Sequence, residues 1–234
     1  MYQNFCKSVG YGNKGYGLLV KDFKSVKNTI LISGSKSNYR YLISKLERIY
    51  KKKPKHVLLK KNRFEISAIE NIYKQNKKKK IDAIIVLGGG SIIDFSKRLI
   101  LKFRKQKKTN FYILPSILGS GSEISITSII NTSLRKNFIV NEKFLPDGII
   151  YDENLIKTSN KITNLMGILD AMTHCIESYT SINKNYYLNF LCNENLNYFM
   201  KKNSLRALVT NKNLNYFDIA TLSLNGGLAQ SNSG

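Results

Sequence analysis

The chain of 234 residues is 42% hydrophobic and carries a formal net charge of +23. This hydrophobic content is sufficient to bury a core and excludes a disordered protein. Cys6, Cys175 and Cys192 are too few and too scattered for a disulfide framework, so we expect a reducing compartment. No signal-peptide core follows Met1, and no apolar run reaches the roughly 20 residues of a membrane helix. We therefore expect a soluble, cytoplasmic protein with no membrane partner.

The lysine excess raises the alternative of a basic nucleic-acid-binding protein. The lysines fall in runs, at 51–53, 77–80 and 107–108, that lie at predicted helix ends and loops. No basic helix carries regularly spaced base-reading side chains, and no nucleic-acid-binding module is recognisable. A solvated basic surface is the preferred interpretation, so nucleic acid is not the expected partner. Such a surface would still favour anionic small ligands.

Apolar runs alternate with segments of helical periodicity as far as Pro115. Before them, the glycine- and aromatic-rich segment 11–17 predicts a turn or short hairpin. The elements that follow are predicted as strand 29–33, helix 39–50, strand 56–59, helix 66–73, strand 83–87, helix 92–103 and strand 111–114. This alternation predicts a parallel sheet with helices on both faces and ligands at the carboxyl ends of its strands.

After Pro115 the pattern changes, and from Asp152 onward only helices are predicted. The later elements are a small-residue loop at 116–123, a β-ribbon at 124–131 and 138–141, a strand at 148–151, and helices at 164–179, 186–201 and 216–230. We therefore expect an α/β domain over residues 1–151, followed by an incomplete all-α domain over residues 152–234.

The segment Gly88-Gly89-Gly90-Ser91 joins a buried strand to an amphipathic helix. Glycines let the backbone turn sharply and leave no side chains between it and a ligand. The free N–H groups and the positive dipole end of the next helix favour phosphate. The order is not the G-x-G-x-x-G of the dinucleotide fingerprint. These residues alone leave two alternatives open, a phosphate cradle and a simple tight turn.

Asp170 and His174 lie four residues apart on a predicted helix, so both side chains project from one face. A carboxylate and an imidazole suit Fe²⁺ or Zn²⁺. Two ligands make half a site, and an intrahelical Asp–His hydrogen bond is the alternative interpretation. His56 and Cys175 are expected to be ordinary packed residues.

Taken together, the motifs resemble the iron-containing (group III, metal-dependent) alcohol dehydrogenase family, whose fold is dehydroquinate synthase-like. The resemblance rests on four segments in chain order: the glycine-rich segment 88–97, Pro115-Ser116-Ile117-Leu118-Gly119-Ser120-Gly121-Ser122-Glu123, Pro146-Asp147 with Asp152, and the helix segment 170–179. It implies a Rossmann-like dinucleotide-binding domain and an oxidoreductase that transfers hydride between a nicotinamide and a small alcohol or aldehyde.

The resemblance also implies site residues, cofactors and partners. NADP or NAD would bind at residues of the first domain: Gly89, Gly90, Ser91 and Asp94 at the pyrophosphate and adjacent ribose, Ser116, Ser120 and Ser122 on the nicotinamide side, and Lys136 at a ribose. Asp170 and His174 would hold Fe²⁺ or Zn²⁺ as a Lewis acid. An anionic aldehyde would suit the basic surface, and a homodimer is expected.

Ser35 is the residue on which the cofactor preference is predicted. Sites that choose NADH place a carboxylate after the first βα strand, where it binds the ribose 2′-hydroxyl. Here that strand ends Ser33-Gly34-Ser35-Lys36-Ser37, and no carboxylate follows before Glu47. This predicts a preference for NADPH, with tolerance of both cofactors as the alternative.

The sequence departs from the family pattern in several ways, which include Gly167 lying three residues before Asp170 where the family has its glycine two before, and the absence of the usual proline between Asp152 and the metal helix. Ser116-Ile117 replaces a Thr-Thr pair. The family holds its metal with one aspartate and three histidines, and the chain stops at Gly234 before the last two. We therefore expect a C-terminally incomplete protein with weak or no dehydrogenase activity, whose Leu222, Leu224 and Leu228 stay uncovered and promote association. The alternative is a non-catalytic nucleotide-binding remnant.

Overall fold

The computed structural model describes residues 5–23, 28–47, 54–59, 64–105, 108–131, 136–183, 186–201 and 215–233. The strands within these ranges are β1 (Val9–Tyr11), β2 (Thr29–Ser33), β3 (Lys55–Leu58), β4 (Ala83–Gly88), β5 (Asn110–Pro115), β6 (Thr127–Asn131), β7 (Lys136–Val140) and β8 (Gly148–Tyr151). Six of them form one parallel sheet in the order β1-β8-β5-β4-β2-β3. The other two, β6 and β7, pair as an antiparallel ribbon, as the sequence predicts.

The helices of the described ranges are α1 (Gly12–Phe23), α2 (Lys36–Glu47), α3 (Ile66–Asn76), α4 (Gly90–Arg104), the short α5 (Glu153–Ile156), α6 (Lys161–Thr180), α7 (Tyr186–Lys201) and α8 (Tyr216–Ser233). Alternate residues of β4 enter different cores: Ile84 and Val86 pack with residues of α3 and α4, whereas Ile85 packs with residues of α1 and α2. The sheet is therefore covered on both faces, which confirms the predicted α/β class.

The prediction of a turn or hairpin over 11–17 is wrong, because α1 begins at Gly12. The glycines serve close packing instead. A Cβ atom on Gly10 of β1 would lie 2.5 Å from the Cα of Gly15 in α1. Two glycines thus let the strand and the helix after it approach backbone to backbone, which local composition cannot distinguish from a turn.

Asp152 ties the end of β8 to the helices on one face of the sheet. Its buried carboxylate accepts hydrogen bonds from the Tyr16 hydroxyl at 2.6 Å and the Lys45 ammonium at 2.9 Å. Its Oδ1 also caps α5 by accepting from the Asn154 amide at 2.9 Å. Burial raises the pKa of Asp152, but the hydrogen bonds from Tyr16 and Lys45 outweigh it and hold the pKa below its usual value.

The helices after Asp152 build a third core with β8, in which Tyr151 of β8 is fully buried. The expectation that the leucines of α8 stay uncovered is wrong: Leu222 and Leu228 are buried and Leu224 is partly buried, because α8 packs against both α6 and α7. Exposed apolar side chains lie instead on α6, at Ile162, Met166, Leu169 and Ile176, and on other elements that include α7, at Phe190 and Met200. No helix in the described ranges has the length and hydropathy needed to cross a membrane.

Candidate functional site

The glycine turn lies at the carboxyl edge of the sheet, between β4 and α4. Gly89 is extended (φ −87°, ψ −176°), and its carbonyl accepts from the amides of Ile92 at 3.0 Å and Ile93 at 3.1 Å. The first N–H groups of α4, which begins at Gly90, have no intrahelical partner. A Cβ atom on Gly88 would lie 2.5 Å from Cδ1 of Ile92, so the turn has no space for side chains at this point.

The second loop, residues 116–123, packs against this turn. The Ser116 amide donates to the Gly88 carbonyl at 3.0 Å and so prolongs the β4–β5 ladder. A Cβ atom on Gly90 would lie 3.0 Å from the Oγ of Ser120. The Ser122 amide in turn donates to that Ser120 Oγ at 3.4 Å. The structure therefore brings together the cofactor residues that the sequence predicts on these two segments.

Asp94 links α4 to the second loop and to the ribbon. Its Oδ1 accepts from the Ser122 hydroxyl at 2.5 Å, and its Oδ2 accepts from the Ile129 amide at 3.1 Å. Lys136, another predicted cofactor residue, is exposed at the start of β7 and pairs with Asn131. Strand β7 pairs with β6, and the Ile129 amide of β6 binds Asp94, so the ribbon connects Lys136 to Asp94.

Two basic residues of α4 that the sequence analysis missed are buried beside Asp94. Lys97 is fully buried, and its ammonium donates to the Ser125 hydroxyl at 2.9 Å and the Thr127 carbonyl at 2.7 Å. Burial lowers the pKa of Lys97 to about 8. Arg98 donates to the Ser128 hydroxyl at 2.8 Å and anchors the ribbon. The burial of Lys97 could have been predicted from the sequence. Lys97 lies four residues after the apolar Ile93 and therefore on the same, inward face of the helix.

Glycines join the second loop to the helices that follow Asp152. A Cβ atom on Gly119 would lie 1.8 Å from the carbonyl oxygen of Gly167 in α6. A Cβ atom on Gly121 would lie 2.4 Å from the Cα of Gly227 in α8. Both loop glycines also have positive φ values, 111° at Gly119 and 62° at Gly121. This close packing fixes α6 relative to the glycine turn.

A buried polar network reinforces that junction. The Glu123 carboxylate is fully buried, and its Oε1 accepts from the Tyr151 hydroxyl at 3.0 Å and the Ser223 hydroxyl at 2.9 Å. The Ser223 hydroxyl also accepts from the Gly119 amide at 2.7 Å. Burial, together with the nearby Glu123 carboxylate, raises the pKa of Tyr151 well above its ordinary value. Tyr151 therefore stays a neutral hydrogen-bond donor.

Asp170 and His174 face each other across one turn of α6. His174 Nε2 lies 3.6 Å from Asp170 Oδ1, which is too long for a hydrogen bond between them. The buried His174 Nδ1 has no hydrogen-bond partner among the described residues. The two groups thus fit the first half of a cation site. The ranges that the structure describes hold no cluster of three or more candidate ligands.

Ser35 follows β2 at the same edge of the sheet. Its hydroxyl accepts from the Asn38 amide at 3.4 Å and lies 2.8 Å from the Ser37 hydroxyl. Next to it, His56 Nε2 lies 2.8 Å from the Ser33 hydroxyl. The Tyr39 ring stacks on His56 with centroids 3.6 Å apart. His56 is therefore a packed residue, as expected, and Ser35 and Ser37 form a hydroxyl pair.

These features define a Rossmann-like α/β sheet followed by a helical region. Residues 11–153 match the family described as iron-containing alcohol dehydrogenase, so the chain belongs to that family.

Curated relatives with similar sequences are named as dehydrogenases. The chain is 31% identical over 134 residues to an alcohol dehydrogenase of Thermococcus barophilus, covering 48% of this chain and 35% of the relative. It is 29% identical over 133 residues to a 4-hydroxybutyrate dehydrogenase of Clostridium kluyveri, covering 51% of this chain and 36% of the relative. The matched segments thus span about a third of these two relatives.

Solved structures with the same fold are longer than this chain. The iron-containing alcohol dehydrogenase of Thermococcus thioreducens superposes with a TM-score of 0.82 at 20% identity, covering 100% of this chain and 67% of that one. The NADH-dependent butanol dehydrogenase A of Thermotoga maritima superposes with a TM-score of 0.77 at 19% identity, covering 100% of this chain and 63% of that one. At such identities these likenesses establish the fold.

Proposed function

We propose that this chain forms the nicotinamide-dinucleotide site and half of the metal site of an alcohol dehydrogenase that interconverts small alcohols and aldehydes. The observation that carries the proposal is the contact between the glycine turn and the second loop, where Gly90 meets Ser120. Parallel α/β sheets bind their ligands at this carboxyl edge. Residues 1–151 would hold the cofactor, and residues 152–234 would supply part of the metal and substrate site.

The cofactor pyrophosphate would lie over the first turn of α4. The amides of Gly89, Gly90 and Ser91 would donate hydrogen bonds to it, and the positive end of the helix dipole favours its charge. Gly90 carries no Cβ, so the second loop can close over this turn. Asp94 would accept from a ribose hydroxyl with the lone pairs that Ser122 and Ile129 leave free.

The second loop would line the nicotinamide side of the cofactor, which supplies or accepts the hydride. Ser116 and Ser120 would offer hydroxyl groups there, and Ser122 would orient Asp94 through its 2.5 Å hydrogen bond. Lys136 would reach a ribose from β7. Because the chain carries a net charge of +23, an anionic aldehyde is the favoured substrate class.

Asp170 and His174 would hold Fe²⁺ or Zn²⁺ on α6. A metal bound there would act as a Lewis acid on the oxygen of the alcohol or aldehyde. The close packing of Gly119 on Gly167 holds α6 against the loop that would line the nicotinamide. This packing would place Asp170 and His174 near the cofactor. Titration calorimetry with NADPH and NADH tests the proposal. We expect saturable binding of one dinucleotide per chain, and absence of binding for both would contradict it.

We predict that the wild-type chain binds NADPH more tightly than NADH. The hydroxyls of Ser35 and Ser37 and the ammonium of Lys36 can donate to a 2′-phosphate, and charge-assisted hydrogen bonds are worth roughly 1.5–3 kcal/mol each. One or two of them would give a preference of about tenfold to a few hundredfold. Ser35→Asp should reverse this preference, because its carboxylate repels the phosphate and accepts from a 2′-hydroxyl.

The control for this prediction is Ser67→Asp. Ser67 lies in the first turn of α3, where its hydroxyl contacts Glu65, so the added charge is the same but the location differs. Dissociation constants for both cofactors should change only in Ser35→Asp. Equal or tighter NADH binding by wild type would refute the predicted preference, as would an unchanged ratio in Ser35→Asp.

We predict that the 234-residue polypeptide binds Fe²⁺ or Zn²⁺ weakly and has little or no dehydrogenase activity. Asp170 and His174 leave most of the coordination shell to water, and metal affinity depends on a complete, oriented set of ligands. Metal analysis after dialysis should find far less than one ion per chain. Weak Zn²⁺ binding measured by titration should disappear in His174→Ala. Stoichiometric metal that survives dialysis, with turnover of a simple alcohol, would contradict the prediction.

A further inference from the structure

The side chain of Lys97 is a charged group in the interior of the α/β core. It is completely inaccessible to solvent on the inner face of α4, where Ile93 and Ile100 are its fully buried helical neighbours. Burying an ammonium group costs several kcal/mol unless hydrogen bonds and opposite charges compensate it. The groups that bind the buried ammonium therefore show which parts of the structure Lys97 holds in place.

The groups around the Lys97 ammonium come from three segments. Ser125, just after the second loop, and Thr127, the first residue of β6, accept its hydrogen bonds at 2.9 Å and 2.7 Å. The carboxylate of Asp94 on the same helix lies 3.7 Å away. Glu123, at the end of the second loop, adds a further electrostatic attraction. Lys97 thus connects α4 with the segment 123–127, which runs from the end of the second loop to the start of β6.

A continuous series of contacts runs from Lys97 to the glycine turn. The Asp94 carboxylate beside the ammonium accepts the Ser122 hydroxyl at 2.5 Å. The Ser122 amide donates to the Ser120 hydroxyl at 3.4 Å. That hydroxyl lies 3.0 Å from where a Cβ atom on Gly90 would be. The position of the second loop over the turn therefore depends on how Asp94 is held.

We propose that Lys97 is a positioning residue of the dinucleotide site, whose buried positive charge holds Asp94 and the second loop in place over the glycine turn. This inference rests on the proposed function, because it assumes that the turn binds a dinucleotide. Lys97 makes no contact with the cofactor itself. It acts through Asp94, Ser122 and Ser120.

The charge of Lys97 can be removed without a mutation. Burial lowers its pKa to about 8, while Asp94 and Glu123 act in the opposite direction. The ammonium is therefore charged below pH 8 and loses its proton as the pH rises through 8. A neutral amine still donates hydrogen bonds but no longer attracts Asp94. Carboxyl groups ordinarily titrate roughly four pH units lower, so the change from pH 7 to pH 9 titrates the lysine and not a carboxyl group. Thiols and the α-amino group also titrate in this interval, and the Lys97 variants separate their contribution from that of the lysine.

The test is calorimetric titration of NADH at pH 7 and pH 9, because NADH has no 2′-phosphate whose charge changes near pH 6. Full coupling to one proton would weaken wild-type binding by up to about tenfold over this interval, since each pH unit above the pKa is worth tenfold. Lys97→Met should bind at least about tenfold more weakly at pH 7 and show no pH dependence. Lys97→Arg, whose charge persists at pH 9, should also lose the pH dependence while keeping more of the affinity than Lys97→Met.

The matched control is Lys102→Met on the same helix, because Lys102 forms a surface ion pair with Glu70. It should keep the wild-type affinity and pH profile. If wild type binds NADH equally at pH 7 and pH 9, or if Lys97→Met binds like wild type, the inference is wrong although the proposed function stands. If wild type binds no dinucleotide, the proposed function fails. Should Lys97→Met not fold, as judged by circular dichroism, the comparison of the wild-type and Lys97→Arg pH profiles decides.

Discussion

Gly167→Ala should lower the free energy of unfolding by about 3 kcal/mol, although alanine is the better helix former. A Cβ atom at this position of α6 would lie 2.0 Å from the carbonyl oxygen of Leu118 in the second loop. Because the obstacle is backbone, the loop or the whole helix must move. Native proteins are stable by only about 5–15 kcal/mol, so this loss would remove a large part of the stability of the folded chain.

Gly17→Ala is the matched control for this substitution. Gly17 is also a helical glycine, in α1, but it is exposed and a Cβ atom there would have no neighbour within 4 Å. The same change should therefore stabilise the chain by about 0.5–1 kcal/mol. Urea unfolding followed by circular dichroism measures both. If both variants are equally stabilised, the close approach of α6 to the second loop does not exist in solution.

Gly90→Val should abolish dinucleotide binding, with a loss of at least about a hundredfold in affinity. The new Cβ atom would lie 3.0 Å from the Ser120 Oγ and 3.7 Å from the Ser122 Cβ, and the valine methyl groups extend beyond it. The second loop must then move away from the turn, and the side chain would cover the amides at the start of α4. Valine is no worse than glycine in a helix, so the folded state should persist.

Gly90→Ala should weaken dinucleotide binding less than Gly90→Val does. The one close contact of its Cβ atom is the Ser120 hydroxyl at 3.0 Å, which can rotate, and the other neighbours lie at ordinary contact distances of 3.5 Å or more. Its affinity should therefore fall between those of wild type and Gly90→Val. Calorimetry gives the affinities, and thermal unfolding by circular dichroism verifies that all three chains are folded. Equal affinities of wild type and Gly90→Val would show that the turn is not the binding site.

The sheet and most helices could be predicted because their signals are local in sequence. The apolar run 83–87 predicts β4, and the spacing of apolar residues predicts α2, α3 and α4 to within a few residues at each end. The exceptions are β1, the short α5, and α1, which begins at Gly12 in a glycine-rich segment. Its glycines are explained by the contact between Gly10 and Gly15, a packing requirement that composition alone does not express.

The candidate site could be predicted in its segments but not in its long-range contacts. The motifs indicate the glycine turn, the second loop and the pair Asp170 and His174. The approach of Gly121 to Gly227 joins positions that are far apart in the chain, and neither position alone indicates its partner. Likewise, the hydrogen bond from Ser223 to Glu123 becomes visible only once α8 is packed against the loop.

The central claim is that a dinucleotide binds at the glycine turn rather than on the basic surface. The amide shifts of ¹⁵N-labelled wild-type chain, measured by NMR on addition of NADPH, test it most directly. A separate cavity of about 380 Å³, lined by Arg104, Lys108, Lys143 and Asp147 among others, provides an internal comparison. It borders the start of β5, at the amino-terminal edge of the sheet. We predict saturable shifts concentrated at residues 89–94 and 116–122. Shifts confined to that cavity, or spread over the lysine-rich surface and removed by salt, would contradict the claim.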